Sequence, residues 1–183
     1  MNHNHILAVL ADATDSQMAE GLAWYGDAHA IAAEAGDVRI GAGVIAALSP
    51  LMSWERNVEL ARDAFRNGHA AGALFRNVAK ADTILDGADP LTVLGGDKVR
   101  SFYLNILDPF DTEPVTVDRH AYDIATGDRN TENDRPGIKG KRYRDLADLY
   151  RSAAAEAGII PNQLQSITWT VWRERWAWRK TPA

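Results

Sequence analysis

The stretch Glu113–Gly127, EPVTVDRHAYDIATG, decides how the chain is read. It opens on a turn, passes through a short apolar run, and reaches Asp118 directly before a helical pattern that Gly127 ends. An Asp at that place accepts backbone N–H bonds from the first turn and so caps the helix. Val117 and Tyr122 then stand where a hydrophobic staple forms. A second role is compatible with the cap. A carboxylate held by amide donors stays ionised and fixed in place, so it can stabilise developing positive charge or orient a water molecule.

On both sides of this stretch the pattern is helical. Ser16 is expected to cap a helix running to about Ala35, with Leu22, Tyr25, His29 and Ala33 on one side. Val38–Leu48 is almost wholly apolar and contains Gly41 and Gly43, which predicts a helix buried on most sides in close contact with others. Ser53 starts an amphipathic helix on which Trp54, Val58, Ala61 and Phe65 share a face, and Asn67-Gly68 ends it. Two short helices are expected near 69–75 and 78–85, then a turn at 86–90 and a helix over 98–107. Residues 127–140, GDRNTENDRPGIKG, form the one long polar loop. Lys141–Ala157 and a last helix starting near Pro161 complete the chain. On the last helix Leu164, Ile167, Thr168, Val171 and Trp178 make one stripe. Gln165, Trp169, Trp172 and Trp176 make a second beside it. Gln163, Ser166, Thr170, Arg173 and Glu174 cover the other side.

The chain has 183 residues, 46% hydrophobic and 25% charged, which suits one generous domain. It contains no cysteine, which excludes disulfides, thiolate zinc sites and cysteine-held iron–sulfur clusters. No apolar run reaches about 18 residues, so no membrane span is expected. The start of the chain does not read as a signal peptide. Both features fit a cytoplasmic protein. The net charge of −5 is unevenly spread: residues 1–117 carry 8 Lys and Arg against 16 Asp and Glu, whereas residues 118–183 carry 12 against 9. Such a basic portion on an acidic body is the local footprint that phosphate binding requires. The two histidines in MNHNH fall in a segment expected to fray, and His29 and His69 read as structural.

From about Val44 to Trp178 the order of segments resembles the helix-hairpin-helix DNA glycosylase superfamily, of the endonuclease III type. VIAALSPLMSWERNVELA resembles that family's early helices. LTVLGGDKVRSFYLNIL stands where its Gly-rich hairpin and following helix belong, VTVDRHAYDI resembles its Val-Asp-x-His segment, and LQSITWTVWRERW resembles its late, Trp-bearing helix. The resemblance implies that Asp118 is the catalytic aspartate and His120 its companion, and that Lys98 lies near the place of the Schiff-base lysine of bifunctional members. A lysine nucleophile must be neutral, and Arg100 is a neighbouring cation that could depress its pKa. The hairpin residues Gly95 and Gly96 would face phosphate, although Asp97 stands where the family has no acid. Ser49-Pro50, Trp54 and Asn57, together with Gln165 and Trp169, resemble small phage-encoded members that place an amine or amino acid on a thymine derivative.

These readings imply an all-α fold of one domain in two lobes, lobe A from about 1–45 and 128–183 and lobe B from about 46–127, with the hairpin near 91–107. DNA would cross between them and a nucleotide would leave the stack to meet Asp118. Arg119, Arg135, Lys139, Lys141, Arg142, Arg144 and Arg173, with Arg175 and Arg179, would contact phosphates. No cofactor or metal is implied. The leading expectation is N-glycosylase cleavage of a modified or damaged base. The alternatives are a phage DNA-hypermodification transferase, and a non-catalytic member of the fold that binds DNA or a host protein, in the host cytoplasm if phage-encoded.

Overall fold

The computed structural model describes residues 1–130 and 134–177. Ten α-helices run through them, with no strand among the described residues: α1 (His3–Ala11), α2 (Asp15–Ala33), α3 (Val38–Leu48), α4 (Trp54–Asn67), α5 (Phe75–Leu85), α6 (Pro90–Val93), α7 (Asp97–Leu107), α8 (Arg119–Thr126), α9 (Lys141–Ala157) and α10 (Pro161–Ala177). The fold is all-α. None of these helices is long and apolar enough to cross a membrane.

The chain gathers into two compact units, Met1–Tyr25 with Phe110–Ala183, and Gly26–Pro109. The divisions therefore fall at 25/26 and 109/110, whereas the sequence pattern places them near 45/46 and 127/128. Packing explains the difference. Helix α3 is surrounded by α4, α5, α6 and α7, so it belongs with the central helices, while α8 packs on α1, α9 and α10.

In the central unit α3 is the axis, buried from Gly41 to Leu48. Its glycines allow the approach. A Cβ at Gly41 would lie 1.9 Å from the Ala32 carbonyl oxygen at the end of α2, and one at Gly43 would lie 2.8 Å from Pro90. Gly41→Ala is therefore expected to cost about 1–3 kcal/mol, because a backbone carbonyl cannot step aside as a flexible side chain can. A urea denaturation midpoint unchanged by that substitution would show that the two helices have room to part. Asn57, buried on α4, donates through Nδ2 to the Ile45 carbonyl at 3.1 Å and ties α4 to α3. Beyond the end of α2, Glu34 receives both Nε and Nη2 of Arg62, at 2.8 and 2.7 Å. That hydrogen-bonded guanidinium holds the Glu34 carboxyl below its ordinary range.

The other unit closes over an apolar core in which Ile6 and Val9 of α1 meet Val115, Val117, Ile124, Leu146, Tyr150, Leu164 and Trp172. Helix α10 is the central element expected of it, and its third side is divided: Ser166 and Thr170 are buried, while Arg173 and Glu174 are exposed. Ser166 Oγ donates to the Gly21 carbonyl at 2.6 Å, and a Cβ at Gly21 would sit 2.5 Å from Ile167 Cα. Trp178, which the sequence pattern puts on the apolar stripe, lies outside the described residues.

Several local expectations are corrected. Thr14, not Ser16, caps α2, in a reciprocal box with Gln17: Thr14 N donates to Gln17 Oε1 at 2.9 Å and Gln17 N donates to Thr14 Oγ1 at 3.3 Å. The inner line of α2 is Gly21, Tyr25, Ala28 and Ala32, leaving Leu22 and Ala33 exposed. Residues 69–74 form no helix, and only α5 occupies that region. The MNHNH start is helical, capped by Asn2, with the His5 ring 3.2 Å from the Ala125 carbonyl.

Candidate active site around Asp118

Asp118 caps α8 as its sequence predicts. Oδ1 accepts from the backbone N–H groups of His120 and Ala121, both at 2.9 Å. The residue is half-buried, and Oδ2 accepts no hydrogen bond among the described residues. One oxygen thus anchors the carboxylate while the other accepts no such bond. Val117 and Tyr122, the expected staple, belong to the same apolar cluster.

The approach to Asp118 is braced from both flanks. The Tyr143 hydroxyl of α9 donates to the Val115 carbonyl at 2.7 Å and accepts from Val117 N–H at 3.1 Å. Thr116, between them, lies 3.0 Å from the Tyr25 hydroxyl, which also donates to Gln165 Oε1 at 3.1 Å. Nothing in the sequence marks Tyr25, Thr116 or Tyr143 as part of a site. Their contacts bridge 91 and 26 positions along the chain, and no local spacing signals them.

Beneath this segment Tyr150 is completely buried and raised well above the ordinary phenol range, first by burial and further by the negative charge of Asp118. Its hydroxyl has no hydrogen-bond partner among the described residues. Thr168 lies beside it but directs its own proton to the Leu164 carbonyl at 2.8 Å.

His120 is held neutral. Burial pushes its pKa below the ordinary value, Asp118 opposes that, and Arg119 and Arg173 reinforce it. The Arg119 Nε stands 3.4 Å from His120 Nε2, so this nitrogen acts as acceptor. The sign of the pH effect follows. Between the folded and unfolded pKa values the unfolded chain carries the proton and the folded chain does not, so stability rises with pH. This contribution is complete above about pH 6.5, the ordinary histidine value, and is lost as pH falls through the lowered folded one. Urea midpoints of the wild-type protein should therefore drop more between pH 7 and pH 5 than those of His120→Gln. Equal drops would show that His120 plays no part in the pH dependence.

Arg119 and Arg173 are both exposed. The Arg173 guanidinium lies over the half-buried Trp169 ring, 4.2 Å from its centroid, a cation–π contact that holds the charge beside the site. Asp118 therefore sits in a setting of two accessible cations, a neutral imidazole and a donor-rich helix start.

Residues 2–176 match a family of unknown function, DUF7178. The chain belongs to that family. No curated protein and no solved structure matches it. The DUF7178 match takes in every residue of the Asp118 surroundings, from Tyr25 to Arg173.

The remaining expected site residues within the DUF7178 match divide by environment. Arg135 does not present its charge to solvent: it forks onto buried Asp123, with Nε to Oδ1 at 3.0 Å and Nη2 to Oδ2 at 2.7 Å. A basic residue in a polar loop reads as solvated, and its partner 12 positions away on α8 could not be inferred. Lys139, Lys141, Arg142 and Arg144 are exposed, although Lys141 pairs with Asp145 and Arg142 reaches the Gly137 carbonyl. Arg175 meets Asp12 at 2.6 Å, and Arg179 lies outside the described residues. In the central unit, Gly95 and Gly96 link α6 to α7, with Gly96 at φ +83°, which an L side chain rarely adopts. Arg100 Nε closes this turn on the Leu94 carbonyl at 2.8 Å. Lys98 is exposed in the first turn of α7. Trp54 is half-buried at the start of α4. A shallow opening lined by Glu34, Arg62, Phe65 and Arg66 contains none of the expected site residues.

Proposed function

We propose that the protein binds DNA and acts on a nucleotide turned out of the stack, with Asp118 supplying the catalytic carboxylate of an N-glycosylase. The observation that carries this reading is the divided role of Asp118: Oδ1 is fixed by two amides while Oδ2 makes no hydrogen bond among the described residues. In base release the bond from C1′ to the base nitrogen breaks and its electron pair leaves with the base. The sugar gains oxocarbenium character, which a carboxylate stabilises, and water completes the exchange at C1′, giving one proton to the departing base. Arg119 and Arg173, with Lys139 and Arg144, supply exposed cations for phosphates. Binding through such contacts falls steeply as salt is raised. The helix-hairpin-helix type of fold and a lysine-assisted strand cleavage through Lys98 belong to the same proposal.

The test uses duplex and single-stranded oligonucleotides carrying deaminated, oxidised, alkylated or hydroxymethylated bases. Release of free base by the wild-type protein and its loss in Asp118→Asn support the reading. Substitution on a retained base that depends on added amine points to a transferase using the same carboxylate. Salt-independent binding, or full activity of Asp118→Asn, overturns it.

A further inference from the structure

Among the described residues three arginines lie over tryptophan rings of α10, and one of the pairs differs from the others. Arg175 is 5.6 Å from the Trp172 centroid, but it is tied to Asp12 at 2.6 Å and its ring is buried. Arg129 is 5.1 Å from the Trp176 centroid, and the indole nitrogen of that ring is sealed from solvent. Arg173 approaches its ring most closely, at 4.2 Å from the Trp169 centroid. It is exposed and forms no ion pair among the described residues, since the neighbouring Glu174 is engaged by Gln17. Trp169 beneath it is half-buried. An exposed cation thus rests on a partly exposed aromatic face, with no carboxylate to hold it there.

The place of this pair is also specific. Helices α8 and α10 pack together, and the Arg173 charge acts on His120, whose backbone N–H donates to Asp118 Oδ1. Trp169 lies one helical turn before Arg173, so its ring and the guanidinium belong to one face of α10. A cation on an exposed ring is held weakly by the ring's quadrupole. A base stacked on the same face gains more than the cation does, and a guanidinium freed from the ring forms stronger, charge-assisted bonds with phosphate. Exchanging the one occupant for the other is therefore favourable wherever a base and a phosphate arrive together.

We infer that the Trp169 ring is a stacking platform for a nucleobase of the bound strand, covered by Arg173 in the free protein and uncovered when that guanidinium moves to a phosphate of the same strand. This rests on the DNA reading above and adds the surface on which a base is held. Every base has a π face, so the contact accepts any of them and contributes affinity and placement without reading sequence.

The test measures binding of the full chain, by fluorescence anisotropy at low salt, to ten-nucleotide strands of thymidine and to strands of the same length whose sugars carry no base. The base-bearing strand should bind the wild-type protein about tenfold more tightly. Trp169→Leu keeps an apolar side chain but removes the stacking face, and should make the two strands bind alike. Arg173→Ala should weaken both strands and leave their ratio undiminished, because the ring is then open. A further readout needs no variant to fold: strands carrying 5-iodouracil, irradiated with the wild-type protein, should cross-link to the peptide that contains Trp169. Equal binding of the two strands, a preference that persists in a folded Trp169→Leu, or cross-linking that misses Trp169 overturns the inference and leaves the DNA reading standing. So does a preference lost in Arg173→Ala, since the guanidinium and not the ring would then hold the base. No binding of either strand overturns both.

Discussion

Asp123→Ala is expected to destabilise the protein by about 3–5 kcal/mol, the cost of breaking a buried ion pair by removing one partner. The Asp123 and Arg135 side chains are 3% and 12% exposed, and they meet through two parallel hydrogen bonds. Asn130 Nδ2 adds a third bond to Oδ1 at 3.1 Å, and Arg135 Nη2 also reaches the Asn130 carbonyl at 2.7 Å. Removing the carboxylate takes the Asp123 charge from beside a guanidinium that solvent barely touches. Arg135→Met strands the carboxylate instead and should cost a comparable amount. The informative variant is the double one. Asp123→Leu combined with Arg135→Met removes both charges, and it should recover most of the loss because no unpaired charge remains. The measurement is a double-mutant cycle of urea unfolding. Additive losses would mean that the pair is solvated enough to act as two separate surface charges.

Asp118→Asn should behave in the opposite way, sparing stability and removing chemistry. Asn caps helices about as well as Asp, so Oδ1 keeps its two amide bonds and the fold loses only a few tenths of a kcal/mol. The charge on Oδ2 disappears. If this carboxylate stabilises a cationic sugar, base release should fall by at least about 100-fold, the scale on which a single preorganised electrostatic contact acts. DNA affinity should stay the same or rise, since a negative charge near phosphates is gone. Asp118→Ala separates the two roles further: it should lose the activity and also about 1 kcal/mol of stability with the cap. A parallel fall of activity and unfolding midpoint across both variants would mean that Asp118 is only a cap.

The contrast between these two carboxylates shows what the sequence could disclose. Asp118 was legible because an N-cap is a local event: an extended residue, an Asp, then a helical pattern. Helix ends were legible for the same reason, as at Gly68, Gly127 and Gly158, which all take the left-handed conformation. Asp123 was not legible, because it stands mid-helix among ordinary neighbours and its meaning comes from Arg135. On α2 the line Leu22, Tyr25, His29 and Ala33 meets the buried face only at Tyr25 and half-buried His29. Hydrophobicity favours Leu22, but Gly21 and Ala32 are the residues at which another helix's backbone comes close. Gln165 belongs to a legible sequence pattern, yet its hydrogen bond with Tyr25 spans 140 positions. Whatever the chain decides through long-range pairing of polar groups stays silent until it is folded.

One unit is assembled from two segments that residues 26–109 separate, and this has a consequence during translation. Residues 26–109 leave the ribosome as a continuous stretch and hold all the partners of α3. Helix α1 is made before the central helices but packs on α8, α9 and α10, which are made after them. Ile6 and Val9 must therefore wait for the residues that cover them until those helices emerge. Segments usually mature in the order in which they emerge; here α1 docks only after α8, α9 and α10 have followed it, and the surroundings of Asp118 come into being only once α10 has emerged.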